Sequence, residues 1–492
     1  MQRSTTEHPQ ALFNTAATRL IEQTALATLP PHTLMQRAGL AVARLALALA
    51  PHARSIWIAC GPGNNGGDGL EAACQLTLRG KAVVVTWLGS ETSAPPDSLA
   101  SLARARAVGV VFADVPPTDL GPQDLCIDAL LGLGSTRAPQ GAMAAWIAAM
   151  NASAAPTLAV DLPTGLQADT GSFAMHSVAG GAGDSSATAT IHAQNTLCLL
   201  TLKPGLFTGY GRDTAGQVWL DDLGVTPQLP PSAQLLGATP ATTRAHASHK
   251  GNYGDVAVIG GAPGMAGAAL LAGSAALHSG AGRVFVGLLD GGSLPIDPAL
   301  PELMFRAPGA LKLHALAVVC GCGGGEAVRP LLPRVLVEAA RLVLDADALN
   351  AIATDTALQA LLRARAGQGL PTVLTPHPLE AARLLGCTTQ QIQADRLAAA
   401  QQLADRFACV VVLKGSGTVI AAPNQLPSIN PTGNARLATA GTGDVLAGMV
   451  GTQLAMGKYA RAAACEAVYA HGLAADRWPK GQPLTAGALA KA

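Results

Sequence analysis

The stretch Ile56-Trp-Ile-Ala-Cys-Gly-Pro-Gly-Asn-Asn-Gly-Gly-Asp-Gly69 joins a short apolar run to a glycine-rich loop. The apolar run predicts a buried strand, and the pattern after the loop predicts a helix over residues 70–78 and a second strand over residues 82–88. A strand, a helix and a second strand in this order form a βαβ unit, whose strands lie parallel in one sheet. The sequence therefore predicts an α/β fold.

Two later stretches repeat the pattern of an apolar strand that ends at a glycine-containing loop. Leu125–Asp128 and Leu158–Asp161 each end in an aspartate. Because the carboxyl ends of parallel strands line one crevice, the loops at residues 61–69, 128–134 and 161–165 are expected to converge. A single aspartate at a strand end is often only a helix cap, but three such loops favour one shared site.

The loop at residues 61–69 leaves its ligand open. Three glycines match the pattern G-x-G-x-x-G of dinucleotide-binding folds: Gly61, Gly63 and Gly66. The usual arrangement also places an acidic residue at the end of the second strand, and the stretch from Val85 to Leu88 has none. The polar side chains of Asn64, Asn65 and Asp68 could bind a hard cation or a sugar hydroxyl. A simple Asn-Gly and Asp-Gly turn would need no ligand.

The second half begins after residues 226–248, whose proline, serine and threonine content predicts a linker. Strands and helices then alternate, and successive strands end near Asp345, His377 and Lys414. An isolated histidine is usually structural and a lysine at a strand end is usually solvated. Their common position at the carboxyl ends of strands favours a site instead.

Gly441-Thr-Gly-Asp444 precedes an apolar helical run at residues 445–456. Backbone N–H groups at a helix N-terminus suit a phosphate group, and Asp444 in the first turn could take a proton from a hydroxyl beside that phosphate. The alternative is a capped helix after a flexible loop. Since the sequence contains no Walker A motif, any nucleotide must be bound by another loop such as this one.

Composition bounds the other possibilities. A chain of 492 residues, 49% of them hydrophobic, is long enough for two or three domains with their own cores. The net charge of +1 gives no reason to expect nucleic acid or a membrane surface as a partner. The nine cysteines form no Cys-x-x-Cys pair, and most of them are expected to be small core residues in a reducing cytosol. With no signal-peptide pattern and no apolar stretch of membrane length, we expect a cytoplasmic protein.

In the first half, the motifs Gly61-Pro-Gly-Asn-Asn-Gly-Gly-Asp-Gly69, Asp128-Ala-Leu-Leu-Gly132 and Asp161-Leu-Pro-Thr-Gly165 together resemble the NAD(P)H-hydrate epimerase domain. The resemblance implies a Rossmann-like three-layer domain over residues 1–225. It implies a potassium ion held by Asn65, Asp128 and Thr164. It also implies that the hydrated dinucleotide contacts Asn64, Asn65, Gly66, Gly67, Asp68, Gly132, Leu133, Gly134, Ser135, Thr136, Arg137, Ala138 and Asp161. Asp161 is our candidate for acid–base chemistry there.

In the second half, Pro263-Gly-Met-Ala-Gly-Ala-Ala269, Asp345-Ala-Asp-Ala-Leu349, Thr375-Pro-His-Pro378 and Gly441-Thr-Gly-Asp444 resemble the ribokinase-like ADP-dependent NAD(P)H-hydrate dehydratases. The resemblance implies a ribokinase-like α/β domain over residues 249–492. It implies that the nucleotide contacts Lys414, Gly415, Ser416, Gly417, Thr418 and Gly443. The hydrate is then expected to contact Ala268, Gly323, His377 and Asp444. Gly321-Cys-Gly323 stands where the family usually has Gly-Pro-Gly.

These resemblances imply one chain with two repair activities on the hydrates of NADH and NADPH, known as NADHX and NADPHX. The first domain would interconvert the R and S epimers. The second would dehydrate the S epimer with ADP and Mg2+, giving AMP and phosphate, with Asp444 as the catalytic base. We expect a homo-oligomer. The alternative is a ribokinase-like small-molecule kinase fused to a non-catalytic nucleotide-binding module.

Overall fold

The computed structural model describes residues 1–135, 137–174, 189–238 and 244–492. Thr136, one of the residues predicted to contact the dinucleotide, lies outside the described residues, as do residues 239–243 of the predicted linker. The chain divides into two compact units, one formed by residues 1–5 and 11–233 and the other by residues 6–10 and 234–492. No helix in the described part of the chain has both the length and the apolar character needed to cross a membrane.

Up to residue 221, strands and helices alternate. The strands are β1 (Gln2–Arg3), β2 (Gln10–Leu12), β3 (Ile56–Cys60), β4 (Val83–Trp87), β5 (Val111–Phe112), β6 (Leu125–Ala129), β7 (Thr157–Val160), β8 (Asn195–Leu199) and β9 (Gln217–Asp221). The helices are α1 (Thr15–Leu26), α2 (Thr33–Leu49), α3 (Asn64–Thr77), α4 (Pro96–Ala107), α5 (Ala142–Ala152) and α6 (Gly211–Thr214).

The sheet of the first unit has the strand order β1-β9-β8-β7-β6-β3-β4-β5. All its neighbouring strands run parallel except β1, which is antiparallel to β9. Every residue of β3 and β6 is buried, as expected for strands covered on both faces. Because β3, β6 and β7 are neighbours, the three loops that follow them meet at one edge of the sheet.

Helix α3 begins at Asn64 and not at Leu70, so the predicted nine-residue loop is only three residues long. The glycines that suggested a loop allow close packing of the helix instead. A Cβ on Gly66 would lie 2.0 Å from the carbonyl oxygen of Gly61, and one on Gly69 would lie 2.5 Å from the Cβ of Ala129. Low helix propensity made these residues look like a loop, but tight packing on the strand ends outweighs it.

The second unit also alternates strands with helices. Its strands are β10 (Ala233–Leu235, which begins at the division between the units), β11 (Asp255–Gly260), β12 (Arg283–Leu288), β13 (Met304–Phe305), β14 (Ala317–Cys320), β15 (Arg341–Leu344), β16 (Thr372–Leu374), β17 (Val410–Leu413), β18 (Val419–Ala421) and β19 (Ser428–Ile429). Its helices are α7 (Ala266–His278), α8 (Leu332–Glu338), α9 (Ala346–Ala353), α10 (Thr356–Gly367), α11 (Pro378–Leu385), α12 (Thr389–Ala394), α13 (Arg396–Phe407), α14 (Thr442–Ala455), α15 (Ala460–Arg477) and α16 (Ala486–Leu489).

The strand order of the second sheet is β13-β12-β11-β14-β15-β16-β17-β18-β19-β10-β2. From β13 to β17 all neighbours are parallel, and β18 is antiparallel to both of its neighbours. Helix α14 begins at Thr442, which places Asp444 in its first turn as predicted. The mainly parallel sheets of both units confirm the α/β fold class.

One strand lies inside the stretch predicted as a linker. Strand β10 pairs parallel with β19, where the N–H groups of Gln234 and Leu236 donate hydrogen bonds of 2.9 Å to carbonyl oxygens of residues 427 and 429. Leu235 between them is only 1% exposed. The prolines before this strand suggested a linker, but burial of its alternating apolar side chains recruits it to the sheet.

The cysteines behave as predicted. All nine are free thiols, and seven of them are buried. Burial raises the pKa of the Cys126 and Cys320 thiols to about 12, so both stay protonated at neutral pH.

We expect the substitution Gly61→Ala to destabilise the first unit by about 3 kcal/mol, because its Cβ would meet rigid backbone. That Cβ would lie 1.7 Å from the carbonyl oxygen of Leu130. The matched control is Gly63→Ala, whose Cβ has no heavy atom within 4 Å. The measurement is urea unfolding followed by tryptophan fluorescence, since four of the five tryptophans lie in the first unit. Equal unfolding midpoints for the two variants would contradict the prediction, because the ends of β3 and β6 would then move apart at no cost to make room for the Cβ.

Candidate active sites

A cavity of about 590 Å³ lies in the first unit, where the loops after β3, β6 and β7 meet. Most residues predicted to contact a dinucleotide line it: Asn64, Asn65, Asp68, Gly132, Leu133, Gly134, Ser135, Arg137, Ala138 and Asp161. Two do not, namely Gly66 and Gly67. The α-carbons of these two glycines face the backbone of Gly61 and the side chain of Met35, so they serve helix packing.

A buried ion pair lies in the wall of this cavity. The ammonium of Lys203 contacts Oδ1 of Asp161 and donates a 2.8 Å hydrogen bond to the carbonyl oxygen of Leu199. The Lys203 side chain is 1% exposed. Burial alone would lower the pKa of Lys203, but the adjacent Asp161 carboxylate outweighs burial and raises it. The second oxygen of Asp161 accepts a 3.1 Å hydrogen bond from the N–H of Leu133.

Sequence reasoning missed Lys203 and Glu22 as site residues. Lys203 lies four residues after the end of strand β8, in the run Leu202-Lys-Pro-Gly205, and its position beyond the carboxyl end of a strand was the available signal. Glu22 lies on α1 and also lines the cavity. Burial raises the pKa of Glu22, and the negative charge of Asp161 raises it further. The spacing of α1 gave no sign that one of its polar residues faces a site.

Of the three residues predicted to hold potassium, Asp128 and Thr164 are buried and contact each other, whereas Asn65 lines the cavity. Asp128 is fully buried, and its carboxylate accepts hydrogen bonds from the N–H (2.8 Å) and hydroxyl (2.7 Å) of Thr164. Burial raises the pKa of Asp128 to about 6, although the hydrogen bonds from Thr164 and Leu130 lower it in part. No described residue forms an ion pair with this carboxylate. Buried charges in proteins are usually paired or bound to a metal ion, so this carboxylate and the adjacent hydroxyl oxygen are candidate cation ligands.

Asn65, the third predicted ligand, lines the cavity itself. Its Nδ2 is buried and has no hydrogen-bond partner. A Cβ on Gly132 would lie 2.9 Å from Oδ1 of Asn65 and 3.2 Å from Oδ2 of Asp161. The absence of a side chain at Gly132 therefore keeps open the space between these two polar groups, and the unpaired amide is available to a ligand.

The second site lies at the carboxyl ends of β14, β15 and β17; β14 and β15 are neighbours, and β16 lies between β15 and β17. Lys414 follows β17 and donates a 2.6 Å hydrogen bond to Oδ1 of Asp345, which follows β15. The thiol of Cys322 and the carboxylates of Asp345 and Asp444 lie within 4.8 Å of one another. Asp444 comes from the first turn of α14, and Gly443 beside it faces the ion pair of Lys414 and Asp345.

Charges in this cluster favour Asp444 as a base. Burial and the negative charge of Asp345 raise the pKa of Asp444 to about 6, while a hydrogen bond from Cys322 and the charge of Lys414 lower it in part. Burial raises the pKa of the Cys322 thiol well above its ordinary value, so the thiol stays protonated. A carboxylate with a pKa near 6 is ionised at neutral pH and accepts a proton more readily than an ordinary aspartate.

The structure brings the other predicted residues of the second half to the same edge of the sheet. A Cβ on Gly323 would lie 2.8 Å from the Cβ of Ala268, and one on Gly443 would lie 3.4 Å from Nζ of Lys414. The residues predicted to bind the nucleotide, Gly415, Ser416, Gly417 and Thr418, follow β17 as a turn. The hydroxyl of Thr418 closes this turn by donating to the carbonyl oxygen of Gly415 at 3.1 Å.

His377 has a clear structural role as well. Its ring Nδ1 accepts a 3.1 Å hydrogen bond from the backbone N–H of Leu379. The backbone N–H of His377 donates to the carboxylate of Glu380 at 2.7 Å, and the two hydrogen bonds together cap the N-terminus of helix α11. Burial lowers the pKa of His377, and so does the nearby Lys414. Glu380, which sequence reasoning did not select, lies 4.0 Å from Lys414, and burial raises its pKa to about 7.

Beneath the glycine loop, helix α15 buries His471, whose Nε2 lies 2.9 Å from the carbonyl oxygen of Thr442. Burial lowers the pKa of His471 to about 4, against an ordinary value of 6.5. The unfolded chain therefore takes up a proton between these two values, while the folded chain does not. Stability contributed by His471 is lost as the pH falls from 6.5 towards 4.

The quantity to follow is the free energy of unfolding of the wild type minus that of His471→Gln. We expect this difference to fall by up to about 3 kcal/mol when the pH is lowered from 7.5 to 4.5. The glutamine amide can still donate to the Thr442 carbonyl but does not titrate. The raised pKa values of Asp444 and Glu380 act in the opposite direction, and taking the difference between the two proteins removes them. Urea unfolding at both pH values, followed by circular dichroism, measures it. A difference that does not change with pH would contradict the prediction.

Two family models match the chain. Residues 256–491 match a family described as NAD(P)H-hydrate dehydratase, and residues 31–205 match one described as the N-terminus of YjeF-related proteins. The chain is 37% identical over 467 residues to the bifunctional NAD(P)H-hydrate repair enzyme of Escherichia coli K12, covering 90% of this chain and 85% of that one.

Two further similar proteins correspond to the second half alone. The ADP-dependent (S)-NAD(P)H-hydrate dehydratase of Neisseria meningitidis is 44% identical over 255 residues, which is 50% of this chain and 84% of that protein. A crystal structure of the ADP/ATP-dependent NAD(P)H-hydrate dehydratase of Bacillus subtilis, co-crystallised with ATP and Mg2+, has 33% identity and a TM-score of 0.44. It covers 50% of this chain and 90% of that one.

Proposed function

We infer that this chain, which belongs to the family of bifunctional NAD(P)H-hydrate repair enzymes, repairs the hydrates NADHX and NADPHX in two steps. The first unit interconverts the R and S epimers, and the second dehydrates the S epimer with ADP to give NAD(P)H, AMP and phosphate. The observation that carries this proposal is that each unit holds its own cluster of buried charges at the carboxyl ends of a parallel sheet. Each cluster lies in a segment that one family model matches.

In the second unit, Asp444 is the group that removes the proton from the hydrate hydroxyl as its oxygen attacks the phosphoryl group of ADP. Lys414, fixed by Asp345 at 2.6 Å, holds positive charge next to the backbone of Gly443. The N–H groups at the start of α14 face the phosphates. Expulsion of phosphate by the ring nitrogen and loss of a proton from the neighbouring carbon then restore the dihydropyridine. These groups act by positioning and charge stabilisation.

Two metal ions complete the proposal. Mg2+ fits beside the phosphates, because the Asp345 carboxylate offers the oxygen ligand that this ion prefers, whereas the Cys322 thiol does not. When bound, Mg2+ supplies charge neutralisation of the phosphoryl oxygens. Potassium fits the first unit, where Asn65, Asp128 and Thr164 offer amide, carboxylate and hydroxyl oxygens. Its charge would offset the buried Asp128 carboxylate.

A small-molecule kinase fused to a non-catalytic module is not favoured, since relatives that span both halves are repair enzymes. A homo-oligomeric state, a cytoplasmic location and the absence of nucleic-acid partners stay predictions.

We expect full recovery of the dihydronicotinamide absorbance from a mixed-epimer NADH hydrate when the chain is supplied with Mg2+ and ADP. AMP and phosphate should be released in equal amounts with the NADH formed. Parallel reactions with ATP and without nucleotide test the nucleotide requirement. Recovery of the S epimer alone would leave only the dehydratase standing, and no recovery with either nucleotide would refute the proposal.

Two variants of the full chain serve as controls for each other. Asp444→Asn removes the proton acceptor and should slow dehydration roughly 10²- to 10⁴-fold while epimerisation, followed by chromatography of the two epimers, continues. Asp161→Asn should do the reverse, so that recovery from an equal mixture stops near half. If Asp444→Asn dehydrates at the wild-type rate, another group is the base.

A further inference from the structure

The cavity of the first unit holds two aspartates in opposite surroundings. Asp161 follows strand β7 and Asp68 lies in helix α3, so they come from different walls of the same cavity. Two carboxyl groups that have different partners in one cavity are a usual basis for separate acid and base roles.

Asp161 has every partner that a carboxylate needs to stay ionised. The buried ammonium of Lys203 contacts one of its oxygens, and the N–H of Leu133 donates to the other at 3.1 Å. Its backbone has a φ of 66°, a left-handed conformation that is uncommon outside glycine. A side chain held this firmly presents a fixed negative charge to the cavity.

Asp68 has none of these partners. No described residue donates a hydrogen bond to its carboxyl or forms an ion pair with it. The charged groups that act most strongly on it are acidic: Asp161, Glu22, Asp97 and Glu71. Three basic side chains, Arg19, Arg137 and Lys203, line the same cavity but are not among the main influences on its pKa. Burial raises the pKa of Asp68 well above its ordinary value, and the charges of Asp161 and Glu22 raise it further. Its carboxyl therefore holds a proton more readily than an ordinary aspartate.

Inverting the hydrate needs both kinds of group. Water adds across the ring double bond with its oxygen on the carbon next to the ring nitrogen, so the nitrogen lone pair can expel that hydroxyl once it is protonated. The C–O bond then breaks, water leaves, and an iminium cation remains. Addition of a second water to the other face of the ring gives the opposite epimer, provided that a base takes the proton of that water.

We propose that Asp68 is the general acid and Asp161 the general base of epimerisation, with Lys203 as the residue that positions Asp161. This assignment rests on the proposed function of the first unit. Asp68 gives its proton to the leaving hydroxyl, and the electron pair of the broken C–O bond goes to that oxygen. Asp161 takes a proton from the attacking water as the new C–O bond forms. A proton then returns from Asp161 to Asp68 through water in the cavity, so the enzyme is restored.

The test uses the full chain with purified R or S hydrate, ADP and Mg2+, and follows NADH absorbance. The R epimer needs both units, whereas the S epimer needs only the second and reports on folding. We expect Asp68→Asn to slow recovery from the R epimer about 100-fold or more and to leave recovery from the S epimer within twofold of wild type. Asp68→Glu keeps a protonated carboxyl and should restore at least a tenth of the R rate.

Two further readouts separate proton transfer from a structural role. The wild-type R rate should fall at high pH, where Asp68 loses its proton, and this fall should vanish in the residual rate of Asp68→Asn. In water enriched in ¹⁸O, the inverted hydrate should carry one ¹⁸O atom. An Asp68→Asn variant that converts the R epimer within threefold of wild type, or inverted hydrate without ¹⁸O, would overturn the assignment.

If Asp68→Asn slows both epimers equally, Asp68→Glu decides: a restored R rate supports the proton role, and an unrestored one refutes it. A wild-type chain that recovers only the S epimer would instead refute the proposed epimerase function.

Discussion

In each unit a lysine ammonium pairs with a buried aspartate near the carboxyl ends of the parallel strands, and the chemistry of both sites depends on that pairing. An isolated charge at either place would be too costly to desolvate, so neither partner could stay buried alone. In the first unit the pair is Lys203 with Asp161, and in the second it is Lys414 with Asp345. Since each lysine is directly paired with one aspartate, the other carboxyls nearby have less compensation. Burial raises the pKa values of Asp68 and Asp444, and the negative charge of the paired aspartate in each unit raises them further.

Much of this arrangement could be predicted from the sequence, because it follows from local patterns. Apolar strands that end in an aspartate predicted where the loops converge, and the glycines before Asp444 predicted a helix N-terminus beside it. The misses share a different cause. Helix α3 starts early because Gly66 and Gly69 allow contact with strand ends that are distant in sequence. Glu22 enters the first site from a helix whose own spacing carries no sign of it. Contacts between residues distant in sequence decide both the start of helix α3 and the position of Glu22. Local patterns in a single sequence do not reveal such contacts.

The loop Gly321-Cys-Gly323 shows how a family position tolerates a change of residue. The usual proline would restrict this loop by its ring, but here hydrogen bonds hold it. The N–H of Gly261 donates to the carbonyl oxygen of Cys322 at 2.9 Å, and the N–H of Ala262 donates to that of Gly323 at 2.7 Å. Left-handed backbone at Gly321 and Gly323 supplies the turn itself. The side chain that replaces proline then gains a role, since its thiol donates a hydrogen bond to Asp444.

The path of the chain has a consequence for how such a fusion can be taken apart. Residues 6–10 belong to the second unit, although the first unit is built from the residues on both sides of them. Within the second unit, the carbonyl oxygen of Thr6 accepts hydrogen bonds from the N–H of Ala238 at 3.0 Å and from the hydroxyl of Tyr469 at 2.9 Å. A single cut between the halves would therefore strip the second of a piece encoded at the start of the gene. A free-standing second half would have to replace that segment or cover the surface that it leaves.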